Sequence, residues 1–323
     1  MKRITSVFLV FAILSLSLVA FSASSQITVF VMGDKLDFKD AAPFIENGRT
    51  LVPFRAIAEA LGADVGWDNA TRTVTITKEN SGASDTNSVD GTNGTVNNTK
   101  TIKLVIGAPK AEVNGRQVEL DVPAKITGSR TYVPLRFVSE ALEMGVLWDA
   151  KTKKINIEMP EIYITLDKAV AEVGDLVKAT INVKDFYGFA GYQINLKYDP
   201  EVLQPIDTTT NGAFSDQSLP DEGTLLKGKF SPVNMPAIPD KDKGTITYGT
   251  TYMNIEGYKN SKVSESTGSI AVFTFKVLKK QPATISFENS KAMTNAKEGT
   301  MLFNWDGTSL SNYKVKFSET LNK

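Results

Sequence analysis

The sequence predicts an α+β first half joined to an all-β second half, the latter a nine-stranded jelly-roll sandwich. Three observations carry this: a gap-free internal repeat, a switch from helical to alternating periodicity at Pro160, and breakers at regular spacing beyond it. At 323 residues the chain also exceeds one typical core, so more than one folded domain is expected.

Residues 1–25 read as a secretory signal. Lys2 and Arg3 form a basic start, Val7 to Phe21 an apolar stretch, and Ser22-Ala23-Ser24-Ser25 a small-residue run where cleavage is expected. The alternative is an uncleaved anchor helix, but the apolar run is shorter than the roughly 20 residues that span a bilayer. No later segment reads as a span. The expectation is an exported chain at the cell surface or in the wall, with no transmembrane anchor.

Residues 26–159 hold the repeat. At an offset of 81, Arg49-Thr-Leu-Val-Pro-Phe-Arg55 aligns with Arg130-Thr-Tyr-Val-Pro-Leu-Arg136, Glu59-Ala-Leu61 with Glu140-Ala-Leu142, and Val65-Gly-Trp67-Asp68 with Val146-Leu-Trp148-Asp149. Thirteen of 30 aligned positions are identical, which marks a duplicated unit. In each copy a proline suits the first helical turn, and Ile57, Ala58 and Leu61 then share one face, with Gly62 able to end the helix. Thr73-Val-Thr-Ile-Thr77 alternates as a half-buried strand, so each unit reads strand–helix–strand. Gly-centred hairpins precede the helices at Met32-Gly33-Asp34 and Asn114-Gly115-Arg116.

The pairs Arg55/Glu59 and Arg136/Glu140 are expected to be surface ion pairs rather than ligand contacts. Trp67 and Trp148 are expected as anchors of a small core rather than as a sugar platform. The first copy shows no counterpart of the strand Ile102-Lys-Leu-Val-Ile106. Between the copies, residues 80–100 are Asn, Ser, Gly, Thr or Asp at 17 of 21 positions, a composition that predicts a flexible tether.

Composition narrows the function. Lys plus Arg and Asp plus Glu are both 36; removing residues 1–25 leaves 34 against 36, without the concentrated positive charge that nucleic acid demands. The chain has no His, which excludes imidazole-based triads and His-ligated zinc or copper. It has no Cys either, which excludes disulfides, thiolate nucleophiles and iron–sulfur ligands. No catalytic residue, metal-ligand set or resident cofactor is assigned. A two-carboxylate glycosidase stays chemically open, but no acid sits in a recognisable catalytic setting.

In residues 160–323 the expected strands are Ile162–Asp167, Val177–Val183, Phe189–Tyr198, Val202–Ile206, Thr224–Phe230, Gly244–Met253, Ser269–Leu278, Ala283–Phe287 and Tyr313–Phe317. Asn254 to Asn260 is expected to form a helical turn. By the two-residue period, Ala190, Tyr192, Ile194, Leu196 and Tyr198 point inward, as do Ile246, Tyr248, Thr250, Tyr252, Ile285 and Phe287. The outward positions on these strands are small or uncharged apart from Lys197 and Glu288. Such a face suits burial against another protein, although an ordinary solvated Thr-rich face fits the same residues.

The repeated pattern of Arg-Thr-x-Val-Pro-x-Arg, Glu-Ala-Leu and Val-x-Trp-Asp resembles the copper amine oxidase N-terminal-like domain. That resemblance implies a stalk, meaning adhesion to the cell envelope, with a wall polymer as partner, or a spacer role. Copper oxidation needs imidazole ligands and is excluded. Phe189-Ala-Gly-Tyr-Gln-Ile-Asn-Leu-Lys-Tyr-Asp-Pro-Glu-Val-Leu203 is similar to the signature strand and turn of cohesin domains, and Leu302-Phe-Asn-Trp-Asp-Gly307 is similar to the type II subclass. The resemblance implies capture of a dockerin carried by a cellulosomal scaffoldin or enzyme, with calcium on the dockerin. It also implies docking on the third, fifth, sixth and eighth strands, which picks out Gln193, Asn195, Leu225, Lys227, Thr247, Gly249, Thr251, Met253 and Ser286. Asp240-Lys-Asp242-Lys-Gly244 imitates a calcium loop, but its Gly falls one position early and Thr251 stands where the bidentate Glu belongs, so a turn is expected. The alternative function is direct carbohydrate binding, for which Tyr187, Tyr258 and Trp305 are the candidate aromatics.

Overall fold

The computed structural model describes residues 26–39, 41–79, 99–186, 188–225, 227, 232–252, 267–288, 300–304, 310, 313–316 and 318–323. The expected signal segment and the helical turn at 254–260 lie outside them. Among the described residues no helix is long and apolar enough to cross a membrane.

In the first half, β1 (Thr28–Val31) and β2 (Asp34–Lys35) are followed by β3 (Phe44–Glu46), β4 (Arg49–Pro53), α1 (Phe54–Ala60), β5 (Asp64–Asp68) and β6 (Thr73–Glu79). Then come β7 (Thr99–Val105), β8 (Lys110–Val113), β9 (Arg116–Glu119), β10 (Lys125–Thr127), β11 (Arg130–Pro134), α2 (Leu135–Ala141), β12 (Gly145–Asp149) and β13 (Lys154–Glu158). The hairpin turns at Met32-Gly33 and Asn114-Gly115 have positive φ at both residues, as a type I′ turn requires.

β4 and β11 pair antiparallel with Val52 directly opposite Val133. These are equivalent residues of the two copies, so the copies meet about a local two-fold axis through two fully buried valines. The outer strands are exchanged. β7, which precedes the second copy, extends the β5–β6 hairpin of the first, while β1 pairs in parallel with β13 of the second. One core runs through both copies and holds Ile57, Val74, Ile102, Val138 and Ile155. The two expected units are therefore interleaved, because each leaves an open strand edge that the other's strand covers.

The expected tether is also shorter than residues 80–100. Thr99 faces Glu79 and Lys100 faces Lys78 in the β6–β7 ladder, so both ends of the intervening segment are held at one hairpin end. The two indoles depart from a pure core role: Trp67 and Trp148 are 37% and 40% exposed. Each stands on an edge strand opposite a buried residue, Val74 or Ile155, with one side left to solvent.

The helix ends show what duplication preserved. Gly62 follows α1 with φ +71°, and the equivalent residue after α2 is Glu143 with φ +61°. A side chain in that conformation costs about 1 kcal/mol or more. Glu143 is held there by a largely buried ion pair, its carboxylate 2.9 Å from the Lys100 ammonium.

The second half contains β14 (Glu161–Leu166), β15 (Leu176–Lys184), β16 (Phe189–Lys197), β17 (Leu203–Asp207), β18 (Gly212–Ala213), β19 (Asp221–Glu222) and β20 (Pro232–Asn234). It continues with β21 (Ile238–Asp240), β22 (Thr245–Tyr252), β23 (Gly268–Val277), β24 (Ala283–Phe287), β25 (Met301–Asn304), β26 (Lys314–Lys316) and β27 (Ser318–Leu321). One sheet runs β18-β17-β23-β15-β14-β26 with β19 beside β23. The other runs β20-β22-β16-β24-β27, with β21 also on β22 and β25 also on β16.

Aromatic rings join the sheets across the core, Tyr248 against Phe273 edge-on at 6.2 Å and Tyr198 against Phe275 at 5.3 Å. Every residue expected inward on β16, β22 and β24 is buried. Of the expected strand Thr224–Phe230, only Thr224, Leu225 and Lys227 are described, and none of them is in a strand. Its described residues turn, and β20 and β21 take the place beside β22 instead.

Candidate binding face

Side chains directly opposite one another in a ladder share a face, so the registers fix the outer surface of the β20/β21–β22–β16–β24 sheet row by row. The first row is Gly191, Thr251 and Val233; the second is Gln193 and Gly249, with the Met235 N–H donating to the Gly249 carbonyl at 2.9 Å. The third is Asn195, Thr247 and Ile238. The fourth is Ser286, Lys197, Thr245 and Asp240.

The middle of this face is held by hydrogen bonds. The Thr247 hydroxyl donates to the Asn195 side-chain oxygen at 2.5 Å, and the Asn195 backbone N–H donates to the Thr300 hydroxyl oxygen at 3.1 Å. The Lys197 ammonium donates to the Lys243 carbonyl at the lower margin. Nearby, Asp240 closes a turn: the Lys243 backbone N–H, and then its side chain, hold the Asp240 carboxyl below the usual range. Gly244 completes the turn at φ +65°. Among the described residues no group of three or more acids is placed to hold a metal ion.

Of the sequence-derived site residues, Gln193, Asn195, Thr247, Gly249, Thr251 and Ser286 are brought together. Thr251 is exposed, Gln193, Asn195, Thr247 and Ser286 are half-buried, and Gly249 is covered. Leu225 and Lys227 do not join them. The Leu225 N–H donates to the Ser269 carbonyl, which attaches the segment to β23 in the other sheet, and its side chain is 3% exposed in the core. Lys227 is exposed in the following turn. Met253 lies outside the described residues, as do Tyr187, Tyr258 and Trp305.

The residues missed are Val233, Met235 and Ile238, which are 48%, 43% and 65% exposed. They put a line of apolar side chains along an otherwise Thr- and amide-rich face. Their sequence signal is the run Pro232-Val-Asn-Met-Pro-Ala-Ile-Pro239, whose prolines read as breakers but are equally at home in edge strands. The first three rows of the face offer flat apolar area and uncharged hydrogen-bonding groups, with charge at Lys197 and Asp240 in the fourth.

Two family models match the chain: copper amine oxidase N-terminal domain over residues 30–157 and cohesin domain over residues 162–310. Cell surface glycoprotein 1 of Acetivibrio thermocellus is 44% identical over 157 residues, which is 48% of this chain and only 7% of that protein. A type II cohesin domain from the cellulosome of Acetivibrio cellulolyticus is 38% identical, covering 51% of this chain and 95% of its own, with a TM-score of 0.47. The cohesin of a type II cohesin–X-dockerin complex from the same organism is 34% identical, covering 50% and 98%, with a TM-score of 0.45. The chain belongs to the cohesin family, with a copper amine oxidase N-terminal domain ahead of its cohesin domain.

Proposed function

We propose that this chain is a non-catalytic, exported adaptor that captures a type II dockerin on the outer face of β20, β21, β22, β16 and β24. The dockerin would bring in a cellulosomal scaffoldin or enzyme for polysaccharide degradation, its calcium staying on the dockerin side. The observation that carries the reading is the line Val233, Met235 and Ile238, apolar and exposed, beside a face of Thr and amide side chains. Such anchors, rather than total area, supply most of the energy of a standard interface. Calorimetry of the full chain against type I and type II dockerins, with calcium and with a chelator, tests it. Preference for type II that disappears with chelator supports the reading, and no heat of binding with either dockerin removes it.

The first half would act as a stalk that holds the cohesin at the cell surface, and its half-exposed Trp67 and Trp148 favour wall-polymer contact as its means. Co-sedimentation of the chain with purified wall and with cellulose tests this. Loss of sedimentation in a Trp67→Ala, Trp148→Ala double variant supports it, and unchanged sedimentation removes it.

A further inference from the structure

A concave site lies between β19 and β23 of one sheet and β20 and β22 of the other. It is a cavity of about 250 Å³ whose walls include the rings of Tyr192, Tyr248 and Tyr252. Leu219, Pro220 and Pro232 form its apolar flank, and Asp221 and Glu222 also line it. Among the described lining residues there is no Lys or Arg.

Three hydroxyl protons of the wall are already committed. Tyr192 donates to the Ile270 carbonyl at 2.9 Å, Tyr248 to the Asn234 side-chain oxygen at 2.9 Å, and Thr250 to the same oxygen at 2.7 Å. Toward a guest these oxygens can act only through lone pairs, and the Tyr248 oxygen is already approached by the Tyr192 and Thr250 hydroxyls. Asp221 spends part of one carboxylate oxygen on the Thr208 hydroxyl at 2.6 Å. Glu222 stands near enough to the Tyr192 and Tyr248 phenols to help hold both above their ordinary pKa, behind burial as the larger cause. Aromatic faces, acceptor oxygens and the Glu222 carboxylate favour the same kind of guest, one that is positively charged, rich in donors and partly apolar.

We infer that this cavity is a binding site for an organic cation, a guanidinium or alkylammonium group packed among the three tyrosines and neutralised by Glu222, which shares the inward face of Ala271. The group can come from a free small molecule or from an Arg or Lys side chain of another protein, and the chemistry is the same for both. The site does not depend on the docking face: its lining comes from the inner side of the sheet.

The test uses the full chain and follows the aromatic 13C resonances of Tyr192, Tyr248 and Tyr252 during titration with methylguanidinium, at constant ionic strength. The neutral isostere methylurea serves as control, and the capped peptide acetyl-Gly-Arg-Gly-amide represents a protein side chain. Saturable shifts with methylguanidinium, none with methylurea, and a weakening of about threefold to fivefold in Glu222→Gln are expected. Glu222 is exposed, so this variant keeps the fold. Tighter binding of the peptide would identify a protein side chain as the source, and tighter binding of methylguanidinium a free cation; both support the site. Linear, unsaturated shifts, equal binding of methylurea, or an unaffected Glu222→Gln would each overturn it.

Discussion

The terminal methyl of Met235 occupies the space that a side chain on Gly249 would need. Gly249 lies on β22 and Met235 just beyond β20, so the missing Cβ on one strand is what lets a thioether from the next segment lie flat on the sheet. Met235 thereby rests on the sheet with its methyl over Gly249 and stays 43% exposed. A flexible, polarizable side chain seated this way adapts to a partner at small entropic cost.

Filling that space should displace the methionine. Gly249→Val is expected to weaken dockerin capture at least tenfold and to cost about 1–3 kcal/mol of stability, because the new side chain also crowds the Tyr192 carbonyl. Urea unfolding and calorimetry on the same preparation separate the two effects.

Charging the apolar line should act on binding alone. Val233 and Ile238 are exposed, so Val233→Asp and Ile238→Asp are each expected to leave stability within about 0.5 kcal/mol. Each should weaken dockerin affinity by about tenfold or more, as for a central anchor. Melting temperature and titration together report this.

Glu140 predicts a pH dependence in the first half of the chain. Burial raises its carboxyl pKa to about 7, against the smaller opposing pull of Arg136. A carboxyl raised on folding is protonated in both states below its unfolded value near 4.5, and its stabilising share is lost as pH rises from there through about 7. Stability should therefore decline across that window, by an amount on the order of 3 kcal/mol at most. Glu140→Gln should flatten the decline, read by urea unfolding at a series of pH values. Its equivalent Glu59 is exposed in its own pair with Arg55, and Glu59→Gln should change little.

The two helix ends should answer differently to substitution. Gly62→Ala places a side chain at φ +71° and is expected to cost about 1 kcal/mol. Glu143→Gly relieves the corresponding strain but leaves the Lys100 ammonium buried without its carboxylate, 2.9 Å away in the intact pair. It is expected to cost more than Gly62→Ala, about 2 kcal/mol or more. Thermal unfolding of both variants orders them.

Much of the outer face of the β22–β16–β24 sheet is legible in the sequence because strand alternation is local. Tyr192, Ile194 and Leu196 had to face a core, and that settled Gln193 and Asn195 without any knowledge of a partner strand. Leu225 went wrong for the opposite reason: its apolar side chain fits a strand on either sheet, and pairing with β23 is a long-range choice that periodicity does not encode. Val233 and Ile238 were hidden by their prolines, since Pro232 and Pro239 mark a loop and an edge strand equally well. The exchange of β1 and β7 was likewise invisible. Repeats reveal that two copies exist, while the ladder between Thr28 and Lys154 depends on how the copies meet.

Capture of a dockerin on the outer face of β20, β21, β22, β16 and β24 is the function proposed for this chain. It is tested most directly by titrating the intact chain and its Thr251→Glu variant with a type II dockerin in calcium. Thr251 is exposed on β22, directly opposite Val233 of β20. Tight one-to-one binding by the intact chain and binding at least tenfold weaker by the variant are expected, with both unfolding at the same temperature. Equal affinity of the two would contradict it.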